Sequence, residues 1–142
     1  MLRKRDHLRS AFASFDPDEV AEFTGIDHLL GDVRLIRSGP KLRACITNAR
    51  ATVALRDQGG LPALLWSAAE VPSPSYDAWQ DVPASTPAST RLARQLKAAG
   101  FVFVGPTTVY SLMQAHGLVG DHLRACPARA RAEAERLGAR PS

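Results

Sequence analysis

Leu35-Ile36-Arg37-Ser38-Gly39-Pro40-Lys41-Leu42-Arg43-Ala44 is the stretch from which the reading of the whole chain grows. Gly39-Pro40 is a helix-start signal, because proline lacks the N–H that a first helical position leaves unpaired anyway, and its fixed φ suits the helix. Leu42, Cys45, Ile46, Ala49 and Val53 then recur at helical spacing until Gly59-Gly60 ends the segment. Upstream, Ile26 to Ile36 reads as one or two short helices, so Arg37-Ser38-Gly39-Pro40 is expected to be a tight connection between helices. The first-turn N–H groups of the second helix have no partner inside it and carry the positive end of its dipole, which suits a phosphate oxygen. Arg37 and Lys41 add charge at that point. Such a hairpin holds nucleic-acid backbone without reading sequence. A purely structural helical hairpin gives the same pattern.

Helix starts recur along the rest of the chain. Asp16-Pro17-Asp18-Glu19 offers an N-cap aspartate, a first-turn proline and a capping-box glutamate. Thr86-Pro87 opens a helix carrying Leu92 and Leu96 up to Gly100, and Gly105-Pro106 opens another carrying Val109, Leu112, Met113 and His116, closed by Gly117. Pro127 to Leu137, rich in Ala, Arg and Glu, is expected to be the last. Phe101-Val102-Phe103-Val104 has strand propensity but no partner strand elsewhere. Glu70 to Ser85 reads as one long ordered loop pinned by Tyr76 and Trp79. The class is all-α, in a single domain over residues 1–142.

The chain has a formal net charge of +4, and no Lys or Arg lies between Arg56 and Arg91. Its positive charge falls into four groups: Arg3 to Arg9, Arg34 to Arg56, Arg91 to Lys97, and Arg124 to Arg140. An acidic partner fits this distribution, and so do solvated helix faces. No run approaches the roughly 18 apolar residues of a membrane span, and no apolar signal core follows the basic start. A cytoplasmic protein with no membrane partner is expected. Two cysteines, Cys45 and Cys126, do not make a disulfide framework. Cys45 falls on an apolar helical stripe and reads as a small core residue.

His122 and Cys126 stand four apart. On one helical turn both would face the same way, a spacing that can share one zinc ion, although structural zinc needs about four ligands. His7, His28, His116 and Cys45 have no ligand-like spacing. Nothing resembles a nucleophile elbow, a phosphate-binding Gly-rich loop or HExxH. Asp16, Asp18 and Glu19 serve a helix start, and Asp121 reads as the cap of the turn holding His122. Ser111 and Gln114, next to Tyr110, share a polar face that could line a cavity or simply face water.

Several of these stretches, taken in order, resemble the DNA-3-methyladenine glycosylase I family, a helix-hairpin-helix-type group of base-excision repair enzymes. They are Arg3-Lys4-Arg5 through Phe15-Asp16-Pro17, Leu35-Ile36-Arg37 through Lys41 to Ile46-Thr47-Asn48-Ala49-Arg50-Ala51, and Pro83 to Ser89. They continue with Gly100-Phe101-Val102-Phe103-Val104-Gly105 and with Tyr110-Ser111-Leu112-Met113-Gln114-Ala115 through Gly117 to His122, the last two blocks being the most specific. The resemblance implies a monomeric hydrolase that cleaves the N-glycosidic bond of 3-methyladenine in double-stranded DNA, leaving the strand uncut. The lesion would leave the stack for a pocket. It further implies Ser111, Tyr110 and Gln114 at the base pocket, Arg37, Gly39 and Lys41 at the DNA-binding hairpin, and His122 and Cys126 as half of a structural zinc site. Gly39-Pro40 departs from the family's usual order around the hairpin glycine. The chain begins past the family's N-terminal zinc-binding Cys and His, its recognition glutamate and its DNA-wedging segment, and no residue before Phe12 can stand in for the pocket aromatics. The expectation is therefore an N-terminally truncated member, weak or inactive as a glycosylase. The alternative is a non-catalytic DNA-binding remnant or a decayed fragment.

Overall fold

The computed structural model describes residues 4–139. Arg3 and Arg140, which bound two of the basic groups, lie outside them. Among the described residues every regular element is helical and none is a strand. The eight α-helices are α1 (Arg5–Ala11), α2 (Pro17–Ala21), α3 (Asp27–Leu30), α4 (Gly39–Ala54), α5 (Gly60–Trp66), α6 (Pro87–Ala98), α7 (Pro106–Ala115) and α8 (Arg129–Gly138). The chain divides into two compact units, residues 4–60 with 97–103, and residues 61–96 with 104–139.

The first unit is built on α4. Leu42, Ile46 and Ala49 turn one face of that helix into a core with Phe12, Val20, Ile26, Leu29 and Leu35. Leu42 is fully buried, and truncating such a leucine to alanine costs about 2–5 kcal/mol. Cys45 is half-buried against this core, as its place on the stripe suggests, and burial pushes its thiol up. Helix α2 packs against α4. Asp16 caps α2, its Oδ1 accepting the N–H groups of Asp18 (2.9 Å) and Glu19 (3.2 Å). The expected reciprocal bond from Glu19 does not form, because the Asp16 N–H already donates to the Ala13 carbonyl at 3.0 Å. Between α1 and α2 the chain makes a left-handed turn, with φ of 46°, 57° and 63° at Ala13, Ser14 and Phe15. That turn places Phe12 between the rings of Phe15 and Phe23, each 6.1 Å away.

The connection before α4 is longer than the four residues expected. Helix α3 ends at Leu30, and residues 31–38 run through turns. Asp32 organises them: its Oδ1 accepts the Arg34 N–H at 2.9 Å, and its carbonyl accepts the Leu35 N–H at 3.0 Å. This local bonding competes with helix and brings Leu35 inward, 1% exposed. Gly59 (φ 91°) closes a 3-10 turn as a terminator should, yet the chain re-enters helix at once in α5. Pro62 sits in the first turn of α5, where its missing N–H does no harm.

In the second unit, α6 begins with a reciprocal cap. Thr86 Oγ1 accepts the Ser89 N–H (3.1 Å) while Ser89 Oγ accepts the Thr86 N–H (2.9 Å), both residues buried. Leu92, Val109, Tyr110, Met113 and Leu118 are buried in this unit. Residues 70–85 form the expected long loop, relieved by a 3-10 turn at Trp79–Asp81. What orders it is hydrogen bonding to residues 118–124. Glu70 N–H donates to the Leu118 carbonyl (2.8 Å), Gly120 N–H to Ser73 Oγ (2.9 Å) and Arg124 N–H to the Tyr76 carbonyl (2.8 Å). Trp79, expected to pin the loop, is instead 72% exposed. Arg136 of α8 is buried and donates to the Glu70 carbonyl (2.8 Å) and to both Glu133 carboxylate oxygens (2.6 Å).

Phe101 to Val104 is not a strand. Phe101 is buried, and Phe103 adopts a left-handed backbone (φ 58°) with its ring exposed. A bulky residue held there costs on the order of 1–3 kcal/mol.

Candidate functional site

The sequence singles out three sets of residues: the start of α4 in the first unit, and the exposed side of α7 and the turn at residues 122–126 in the second.

At the start of α4, Ser38 is extended and no side chain caps the first turn. The first intrahelical bond runs from the Leu42 N–H to the Ser38 carbonyl, so the N–H groups of Gly39 and Lys41 are left for an outside acceptor. Gly39 is not needed for a left-handed turn. A Cβ there would meet only the flexible Arg43 guanidinium, at 3.2 Å, and Leu30 Cδ2 at 3.6 Å. The basic group Arg34 to Arg56 resolves into two kinds of residue. Arg34 pairs with Asp32 (2.8 Å), Arg56 pairs with Asp18 (2.6 Å), and Arg50 donates to the carbonyls of Ala21 and Phe23 at 2.9 Å. The Arg34 guanidinium beside Asp32 holds that carboxyl at about 2. Arg37, Lys41 and Arg43 are exposed and, among the described residues, have no ion-pair partner. The charges nearest the uncapped turn are thus the ones left uncommitted.

On α7 the three expected pocket residues separate by helix geometry. Ser111 and Gln114, three apart, are both exposed, whereas Tyr110 points inward with 2% exposure. Ser111 Oγ donates to the Thr107 carbonyl at 3.2 Å, and Gln114 Nε2 donates to Asp121 Oδ2 at 2.6 Å. Asp121, expected to cap a turn, is among the described residues bonded through its carboxylate to the α7 side chain instead. Its Oδ1 is buried without a partner, as are Tyr110 Oη and Glu70 Oε2. Burial, and then the Asp121 carboxylate, push the Tyr110 phenol well above the ordinary tyrosine range. Burial, and then Asp121, likewise raise the Glu70 carboxyl. Gln114, Asp121, His122, Trp79 and Arg136 line a cavity of about 440 Å³. Sequence reasoning found Gln114 and His122 here but missed the role of Asp121, and of Trp79 and Arg136, which come from the long loop and from α8. The only signal for Asp121 was its place beside His122.

His122 and Cys126 are brought together, with Sγ 3.4 Å from the imidazole Nδ1. They do so on a non-helical turn closed by the Cys126 N–H donating to the Leu123 carbonyl at 2.9 Å, and α8 begins only at Arg129. Pro127, which lacks an N–H, follows immediately, and the helix expected from that proline onward starts two residues late. Among the described residues no group of three or more His, Cys, Asp or Glu side chains forms a metal cluster. Imidazole and thiolate suit zinc, and this pair meets two of about four coordination positions.

Residues 1–130 match the model of the methyladenine glycosylase family. The chain is 39% identical over 134 residues to DNA-3-methyladenine glycosylase of Haemophilus influenzae, covering 91% of this chain and 72% of that protein. It is also 39% identical to DNA-3-methyladenine glycosylase 1 of Escherichia coli, over 89% of this chain and 70% of the relative. A crystal structure of 3-methyladenine DNA glycosylase I superposes with a TM-score of 0.83 at 38% identity, over 90% of this chain and 73% of the other. A variant of 3-methyladenine DNA glycosylase I in complex with 3-methyladenine superposes with a TM-score of 0.81 at 31% identity, over 90% of this chain and 72% of the other. On these matches the chain belongs to the methyladenine glycosylase family.

Proposed function

We propose that the chain acts on alkylated double-stranded DNA as a monomeric base-excision repair protein of the 3-methyladenine glycosylase type. Similarity over 91% and 89% of this chain to two proteins named for that activity carries the reading. The local geometry supports it at two places. The start of α4 offers free backbone N–H groups beside Arg37, Lys41 and Arg43, a combination that holds a phosphate through dipole and charge together. The exposed Ser111 and Gln114 side of α7 supplies polar groups for an extruded base, while Tyr110 supports that face from within.

The chemistry asked of the protein is modest. A cationic methylated base already leaves readily, so holding it out of the stack and orienting the sugar bond supply most of what hydrolysis needs. In this reading His122 and Cys126 hold half of a structural zinc site, and the ion would fix the turn on which they sit. In this reading excision of the base is weak or absent. A second reading, DNA binding without excision, rests on the same open start of α4.

The test is release of 3-methyladenine from methylated duplex DNA, followed by chromatography, with DNA binding measured in parallel on the same preparation. Salt-dependent binding with little release is the expected result. Efficient release would overturn the account of weak catalysis. Absence of both would remove the DNA-repair reading itself.

A further inference from the structure

Phe103 combines a left-handed backbone (φ 58°) with a ring that is 58% exposed. Burial does not offset the strain of that conformation, and a glycine would adopt it freely. The conformation is held from one side. Asn48 Oδ1 accepts the Val102 N–H at 2.9 Å and Asn48 Nδ2 donates to the Val102 carbonyl at 3.2 Å, so one amide clamps both backbone groups of the residue before Phe103. Val102 is itself 39% exposed. The clamp therefore secures the backbone while leaving the two side chains outside the core.

Asn48 also says where the backbone before Phe103 stands. It lies seven residues beyond Lys41 on α4, which puts the two on the same face, about 10 Å apart along the helix axis. The backbone that carries the exposed aromatic is thus held beside the helix whose first turn is uncapped and flanked by cations without an ion-pair partner among the described residues.

We propose that Phe103 is a base-stacking residue: with a DNA phosphate held at the start of α4, its ring packs against an unstacked nucleobase of the same DNA. The proposal rests on the DNA-binding reading above. Stacking suits a protein that must meet any sequence, since every base has a π face, and it adds to phosphate contacts that position without selecting. A base freed by a lesion or an abasic site is the natural partner, because in an intact duplex the faces are already occupied.

The test uses two duplexes, one intact and one with a central abasic analogue opposite 2-aminopurine, titrated by fluorescence at several salt concentrations. Phe103→Ala should lower affinity for the abasic duplex by about tenfold and leave both the intact-duplex affinity and the salt slope unchanged. Phe103→Trp should restore it. Phe103→Gly should melt no lower than the parent while binding the abasic duplex as weakly as the alanine variant. An equal loss on both duplexes, no loss on either, or a lower melting point for Phe103→Gly would overturn the proposal and make Phe103 a packing residue. If the parent protein binds neither duplex in a salt-dependent way, the DNA-binding reading fails first and takes this inference with it.

Discussion

Helices α4 and α6 begin with the same punctuation, a proline in the first turn, and are finished differently. At α6 the orphan N–H groups are met from within, Thr86 and Ser89 bonding reciprocally in a buried setting. At α4 no side chain caps the turn, and exposed cations stand beside it. Helix α7 is also uncapped, but its first turn carries no basic residue. An unsatisfied helix start becomes available to an anion only when nearby charge has not been spent on internal pairs, and that condition separates α4 from the other two.

The largest expected effect breaks the closed start. Thr86→Ala combined with Ser89→Ala should cost about 2 kcal/mol of stability, roughly one per lost cap, with DNA affinity unchanged; urea denaturation and a binding titration would show both. Closing the open start should act the other way. Ser38→Asp places a carboxylate where a phosphate would sit, so DNA affinity should fall about tenfold while stability rises by about 0.5 kcal/mol. A variant that binds DNA normally and is also stabilised would show that the turn takes no phosphate. Lys41→Ala should be milder, reducing the slope of log K against log salt by about one with little change in melting temperature.

The smallest effect concerns the interior of the second unit. The Glu70 carboxyl is raised by burial and then by Asp121, so its folded value lies above its unfolded one. Its contribution is fully present below the unfolded value and is lost as pH rises through the folded value. Glu70→Gln should therefore stabilise the protein at neutral pH, with the gain fading in acid, as thermal melts between pH 4 and pH 8 would record.

Four helices were legible because their starts carry a local chemical mark: Asp16-Pro17, Gly39-Pro40, Thr86-Pro87 and Gly105-Pro106 all lie at observed helix starts. Connections were less so. The turn before α4 depends on Asp32 binding Arg34, a side-chain choice that helical periodicity does not register. Helix α5 was hidden by Gly59-Gly60, since a glycine pair marks an end without saying whether another helix follows directly. Among the site residues, Ser111 and Gln114 share a face by spacing alone, and the structure agrees. Asp121, Trp79 and Arg136 could not be grouped in advance, because hydrogen bonds between the loop and residues 118–124 bring them together, and those bonds join groups about fifty residues apart in the chain. Phe103 was invisible for a related reason. Nothing in Phe101 to Val104 says that Asn48 will grip the backbone and leave the ring in water.

The burial of Tyr110 gives the second unit an optical reporter. It is one of only two tyrosines in the chain, and burial beside Asp121 keeps its phenol protonated beyond the pH at which tyrosine ordinarily ionises. In an alkaline absorbance titration its tyrosinate band should stay silent until that unit opens. The late step in the curve would then time the opening of one half of the molecule without any added label.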